Sequence, residues 1–120
     1  MAAEGNLSID VRREGERVVL RVDGELDLAG VPQLESEAES ASQAENATLD
    51  TPKEIVLDLR GLEFIDSTGL RAILALDKRA AERGQTFALV RGPEQVQRLM
   101  NMTRVDEHLK IISSPEEILL

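Results

Sequence analysis

Apolar and polar residues alternate in two short stretches near the N-terminus. Residues 7–11 and 18–22 each place an apolar side chain at every second position, which is the pattern of a half-buried β-strand. The segment 13–16 between them contains a glycine and is typical of a turn. The two strands are therefore predicted to form an antiparallel hairpin.

The alternation breaks at Gly24–Asp27, and the apolar spacing that follows is helical. Pro32 suits the first turn of a helix, where its missing N–H costs nothing, and residues 31, 34, 38 and 41 form the apolar stripe of that helix. Three further helices are predicted: one from about Leu70 that stops at Gly84, one opened by Pro93, and a short one capped by Ser114 and Glu117.

Short apolar runs separate these helices. Residues 55–59 are nearly all apolar, as in a central strand covered on both faces, and residues 86–90 and 110–112 are shorter strand candidates. A loop is expected at 60–65, and the polar segment 43–53 is expected to be a long exposed loop. This order predicts one α/β domain over residues 1–120, with a mixed, mostly parallel β-sheet that opens with an antiparallel hairpin, and about four helices.

Composition narrows the kind of protein. The 120 residues include no cysteine and one histidine, His108, so disulfides and a zinc site are not expected. A net charge of −9 and two aromatic residues disfavour nucleic acid and anionic membrane surfaces as partners, because both require basic patches and nucleic acid also requires stacking platforms. With no signal sequence and no apolar run of membrane-spanning length, a cytoplasmic location is expected.

The segment Asp66–Gly69 is the main candidate for chemistry, because it lies where a buried strand gives way to a helix. Unpaired N–H groups and the helix dipole favour an anion there. A phosphoryl group on Ser67 would meet these donors and would present a charge of about −1.5 to −2 to a docked protein. The alternative is that Asp, Ser and Thr simply cap an ordinary helix.

Asp27 belongs to a second candidate segment, Gly24–Asp27. Because both segments follow a strand and precede a helix, their carboxylates are expected at the same end of the sheet. The alternative here is a glycine turn that carries solvated acids.

A catalytic site finds little support in the sequence. A serine nucleophile needs a positioned base and an oxyanion hole, yet His108 lies far from Ser67 along the chain and the Gly-x-Ser-x-Gly pattern is missing. A glycine-rich phosphate loop is also missing. We therefore expect a protein that is not an enzyme and that needs no metal or cofactor.

Taken together, three stretches resemble the STAS domains and, within them, the bacterial anti-sigma-factor antagonists. The resemblance runs from the hairpin to Ile112 and is carried by residues 22–27, 55–70 and 96–100.

The resemblance implies a partner that is both an anti-sigma factor and a serine kinase. The unmodified chain would bind this partner and so release the sigma factor, phosphorylation of Ser67 would stop binding, and a serine phosphatase would restore it. ATP would belong to the kinase. The resemblance assigns these residues to the partner surface: Asp27, Asp66, Ser67, Thr68, Gly69 and Arg71. An unregulated STAS module of a transporter or of a stress-signalling scaffold remains the alternative.

Overall fold

The computed structural model, which describes residues 6–43 and 51–115, contains five strands and three α-helices, and after two opening strands the helices and strands alternate. Their bounds are β1 (Leu7–Glu14), β2 (Arg17–Leu26), α1 (Val31–Ala41), β3 (Glu54–Ile65), α2 (Ser67–Glu82), β4 (Thr86–Val90), α3 (Glu94–Met102) and β5 (Lys110–Ile112), with a short 3-10 helix at Val105–Glu107 before β5.

The strands form one sheet in the order β1-β2-β3-β4-β5. β1 runs antiparallel to β2, and every other neighbouring pair is parallel. The α/β class, the mixed sheet and the opening hairpin are thus confirmed. Because β2, β3 and β4 are parallel to one another, their carboxyl ends share one end of the sheet. The connections to α1, α2 and α3 begin there.

The main core packs the three helices against the sheet. Its central side chains have no exposed surface and come from strands and helices alike: Leu20, Leu57, Leu34, Ile73 and Met100. The first half of β3 is buried on both faces, as its apolar run predicts, since Val56 belongs to a second apolar cluster. Asp58 is also buried, at 2% exposure, and it is held by the Arg60 guanidinium at 2.9 Å.

Three α-helices are present in the described residues, against about four predicted. Pro32 lies in the first turn of α1, and Gly84, with φ of 74°, follows the end of α2, as the sequence indicated. The predicted fourth helix, capped by Ser114, would occupy residues that lie mostly beyond Pro115 and therefore outside the described ones.

Residues 60–65 form the second half of β3, so the prediction of a loop there is wrong. β2 likewise continues through Gly24 to Leu26, where the alternation was interpreted as ended. The C-terminal part of β2 pairs with the second half of β3, but the register shifts after Arg21 and again after Gly24. Because a bulge breaks the two-residue period, paired strands of this kind look irregular in the sequence.

The loop predicted at 43–53 is not exposed throughout. Gln43, Thr51 and Lys53 are exposed, but Pro52 is buried, and residues 44–50 lie outside the described ones. The carbonyl of the buried Pro52 is bound by a side chain far along the chain. Gln85, only 8% exposed, donates through Nε2 to the carbonyl oxygens of Ser42 at 3.0 Å and Pro52 at 2.8 Å.

We expect Gln85→Ala to lower the free energy of unfolding by about 1–2 kcal/mol, because two buried carbonyls lose their donor. Urea unfolding measures this loss. Gln95→Ala is the matched control, since Gln95 Nε2 also donates to a carbonyl, that of Glu63 at 3.2 Å, but at an exposed position. The control should change stability by less than about 0.5 kcal/mol. Equal effects of the two substitutions would contradict the assigned role of Gln85.

Candidate partner-binding site

The start of α2 is capped by Asp66. Its backbone is extended, and its Oδ1 accepts a hydrogen bond from the Gly69 N–H at 2.9 Å. The Leu70 N–H donates to the Asp66 carbonyl oxygen at 3.0 Å, which closes the first helical turn. The capping alternative therefore accounts for Asp66, but it leaves the next residue without a capping role.

That next residue, Ser67, is the first residue of α2 and is exposed. Within residues 6–43 and 51–115, its hydroxyl has no hydrogen-bond partner. An enclosed serine would be inaccessible to a kinase, whereas Ser67 stands at the surface. Its position at a helix N-terminus also places it where the macrodipole favours negative charge.

The segment that contains Asp27 lies beside this junction. β2 and β3 end side by side, because the Asp66 N–H donates to the Leu26 carbonyl oxygen at 3.3 Å. Asp27 follows Leu26 and is partly buried, and its Oδ1 accepts hydrogen bonds from the N–H groups of Ala29 at 3.1 Å and Gly30 at 3.2 Å. Both carboxylates are therefore held by backbone donors at the same end of the sheet, as expected.

Gly69 allows the two strand ends and the helix to come this close. It is buried, and a Cβ added there would lie 2.4 Å from the Leu26 carbonyl oxygen. Its part in the site is thus to position α2 against β2. Thr68 is partly buried, and Arg71, one turn into α2, is exposed.

Two exposed apolar residues lie at the same end of the sheet, and the sequence did not predict them as part of the site. Leu28 follows Asp27 and is 73% exposed; Phe64 precedes the Asp66–Gly69 segment and is 49% exposed. Phe64 pairs with Glu25 in the β2–β3 register, which places it near the carboxyl ends of both strands. Two features of the sequence could have indicated these residues: Leu28 is an apolar residue within a turn, and Phe64 is one of only two aromatic residues. Neither feature predicts exposure, because apolar residues are expected to be buried.

We refer to this end of the molecule as the junction surface, defined by Asp27, Leu28, Phe64, Asp66, Ser67, Thr68 and Arg71. It combines apolar side chains with two ordered carboxylates, a free hydroxyl and a guanidinium. Such a combination suits recognition of another protein, since apolar anchors supply affinity and charged groups supply specificity.

Among the residues that the structure describes, the carboxylates of Glu39 and Asp77 have shifted pKa values, and neither belongs to the junction surface. Hydrogen bonds from Arg83 and Gln43 hold the pKa of Glu39, on α1, below its ordinary value. Partial burial raises the pKa of Asp77, on α2. These shifts reflect the packing of the helices and assign no proton-transfer role at Ser67.

His108 is exposed. The described segments contain no group of three or more His, Cys, Asp or Glu side chains placed to hold a metal ion. In the same segments, no helix has the length and apolar character needed to cross a bilayer.

Comparison with known proteins identifies the family. The family profile described as "Mlab, STAS domain" matches residues 9–113. An "Anti-sigma F factor antagonist" of Paenibacillus polymyxa is 30% identical over 98 residues, covering 82% of this chain and 80% of that protein. The "Anti-sigma-F factor antagonist RsfB" of Mycobacterium tuberculosis is 26% identical over 119 residues, covering 99% of this chain and 92% of that protein.

Solved structures share the fold. An anti-sigma factor antagonist from Mycobacterium paratuberculosis superposes with a TM-score of 0.79 at 22% identity, covering 97% of this chain and 93% of that one. The anti-sigma factor antagonist SpoIIAA in its unphosphorylated form gives a TM-score of 0.71 at 19% identity, with 91% of each chain covered. The predicted family is thus confirmed: this chain belongs to the STAS domain family, alongside anti-sigma factor antagonists.

Proposed function

We propose that this chain is a phosphorylation-regulated anti-sigma-factor antagonist. Its unphosphorylated form binds an anti-sigma factor that is also a serine kinase, and binding releases the sigma factor. Phosphorylation of Ser67 stops binding. The observation that carries the proposal is the exposed Ser67 hydroxyl at the start of α2, left free because Asp66 takes the capping role. The names of the relatives support the partner class.

Docking uses the apolar part of the junction surface. Full burial of a leucine or phenylalanine side chain contributes about 1.5–3 kcal/mol, so Leu28 and Phe64 are the anchors. Arg71 donates hydrogen bonds to the partner, and Asp27 and Asp66 attract basic groups. A phosphoryl group on Ser67 opposes docking, because a charge of about −2 would be desolvated at the contact.

In this scheme the chain is substrate and ligand rather than enzyme. The kinase binds ATP and transfers its γ-phosphoryl group to Ser67 Oγ. The new Oγ–P bond forms as the bond between the γ-phosphorus and the bridging oxygen breaks; ADP leaves, and the kinase takes the hydroxyl proton. A serine phosphatase reverses the modification by hydrolysis, which yields Ser67 and inorganic phosphate. These partners place the protein in the cytoplasm.

The proposal is tested with purified anti-sigma factors encoded in the same genome as this chain. Each is incubated with the chain, Mg²⁺ and ATP, and the product is mapped by mass spectrometry; Ser67→Ala serves as the unlabelled control. Label at Ser67 is expected, together with binding of the unmodified form alone. Label only at Thr68, or no label, overturns the site assignment. Equal binding of both forms indicates the unregulated module instead.

We expect Leu28→Ser and Phe64→Ser each to weaken partner binding by about tenfold, which corresponds to losing part of the burial energy of one apolar anchor. Met102→Ser is the matched control, because Met102 is 75% exposed, like Leu28 at 73%, but lies at the end of α3. Titration calorimetry measures affinity, and thermal unfolding checks the fold. If Met102→Ser weakens binding as much as the other two, the apolar anchors are wrongly assigned.

A further inference from the structure

We propose that the phosphoryl group on Ser67 pairs with Arg71 of the same chain. This inference rests on the proposed function, because it concerns the phosphorylated state. Ser67 is the first residue of α2 and Arg71 is the fifth. Residues four apart on a helix lie on one face, with their Cβ atoms about 5–6 Å apart. Side chains also lean toward the helix N-terminus, so Arg71 leans toward Ser67.

α3 contains the same arrangement with a carboxylate in place of the phosphate. Glu94 is the first residue of α3 and Arg98 is the fifth, and the Arg98 guanidinium lies 3.5 Å from the Glu94 carboxylate. An acidic group at the first position of a helix in this fold is therefore within reach of an arginine four residues later. A phosphate is the stronger partner, because it carries more charge than a carboxylate and offers three acceptor oxygens to the guanidinium.

Arg71 is available for this contact. It is exposed, and among the described residues it makes no ion pair or hydrogen bond. Arg83, the residue that follows the end of α2, instead binds Glu39 at 2.8 Å. The next cation after Arg71 on α2 is Lys78, almost two turns away.

The nearby carboxylates favour a compensating cation at this position. Asp66 and Asp27 both lie at the junction surface, and like charges repel a phosphate. Each of these carboxylates is partly compensated by its backbone donors, from Gly69 and from Ala29 and Gly30. Arg71 is the side chain that α2 presents, one turn from Ser67, with a compensating positive charge.

The pairing gives phosphorylation two effects on docking. The phosphate adds negative charge at the junction surface, and the ion pair withdraws the Arg71 guanidinium from the partner. The unmodified chain therefore offers a free cation at this surface, and the phosphorylated chain offers a neutralised one.

The test uses chains in which phosphoserine is incorporated at position 67 during translation, so that no kinase is needed. Unphosphorylated and phosphorylated forms are prepared as wild type, Arg71→Gln and Lys78→Gln. Lys78→Gln is the matched control, because it removes the same charge from the same helix, eleven residues and about 16 Å from Ser67. The readout is the effect of phosphorylation on Tm at low and at high salt.

At low salt, the change in Tm caused by phosphorylation is expected to be about 3 °C less favourable in Arg71→Gln than in wild type or Lys78→Gln. High salt should remove most of this difference, because the pair is exposed and screened. Equal effects of phosphorylation in all three backgrounds overturn the pairing. Because no partner is present, this result is independent of the proposed function, which fails separately if anti-sigma factor binding ignores phosphorylation.

Discussion

Ser67→Asp is expected to weaken binding to the anti-sigma factor by about 100-fold, the equivalent of roughly 2.7 kcal/mol, while Ser67→Ala binds like wild type. The aspartate places a permanent negative charge beside Asp66, at a surface that docking desolvates, and removing a charge from water at an interface costs several kcal/mol. Alanine removes a hydroxyl that makes no hydrogen bond within the described residues. Titration calorimetry with the purified partner measures both affinities.

Ser36→Asp is the control for this substitution. Ser36 is an exposed serine on α1, so the change adds the same charge away from the junction surface and should alter affinity less than about twofold. Thermal unfolding of all variants excludes loss of fold as the cause. An unchanged affinity for Ser67→Asp would remove the basis for an electrostatic switch.

Gly69→Ala is expected to lower the free energy of unfolding by about 2–3 kcal/mol, a loss typical of overpacking. Helix propensity alone predicts the opposite sign, because alanine stabilises a helix interior by about 1 kcal/mol relative to glycine. The added Cβ, however, would lie 2.4 Å from the Leu26 carbonyl oxygen and 2.8 Å from Leu26 Cγ. Because the nearest atom is backbone, α2 must move away from β2, and the steric cost prevails.

Gly84→Ala separates this steric effect from backbone strain. Gly84 has φ of 74°, and its added Cβ would meet nothing within 4 Å, so only the left-handed conformation is penalised, by about 1–2 kcal/mol. Urea unfolding measures both variants, and partner binding should weaken only in Gly69→Ala, because only that change displaces Ser67. A Gly69→Ala chain that is more stable than wild type would show that α2 does not depend on this close approach.

The sequence predicts elements well where the signal is local. The apolar run at 86–90 coincides with β4. Pro32 lies where α1 begins, and Gly84 lies just after the end of α2. The failures depend on distant partners. Residues 60–65 form a strand because β2 pairs with them through two register shifts. The buried Pro52 has its carbonyl bound by Gln85, 33 residues along the chain. Neither the pairing with β2 nor the contact with Gln85 can be predicted from the residues next to these segments in the sequence.

The candidate site shows the same division. Residue types place a helix start at Asp66–Gly69, but Asp, Ser and Thr are interchangeable as caps, so the sequence could not separate a cap from an accessible hydroxyl. The hydrogen bond from the Gly69 N–H to Asp66 Oδ1 shows that Asp66 is the cap and that the Ser67 hydroxyl is not. Leu28 and Phe64 were not predicted as surface residues, because exposure of an apolar side chain depends on what the whole fold leaves uncovered.

The double hydrogen bond from Gln85 has a practical consequence. By binding the carbonyls of both Ser42 and Pro52, it holds the end of α1 next to the chain that enters β3. All twelve residues of β3, about 40 Å of extended chain, lie between this point and α2. A fluorescent label attached at the exposed Thr51 would therefore be far from the docking contact, so the state of the switch could be followed in solution without altering the residues that set it.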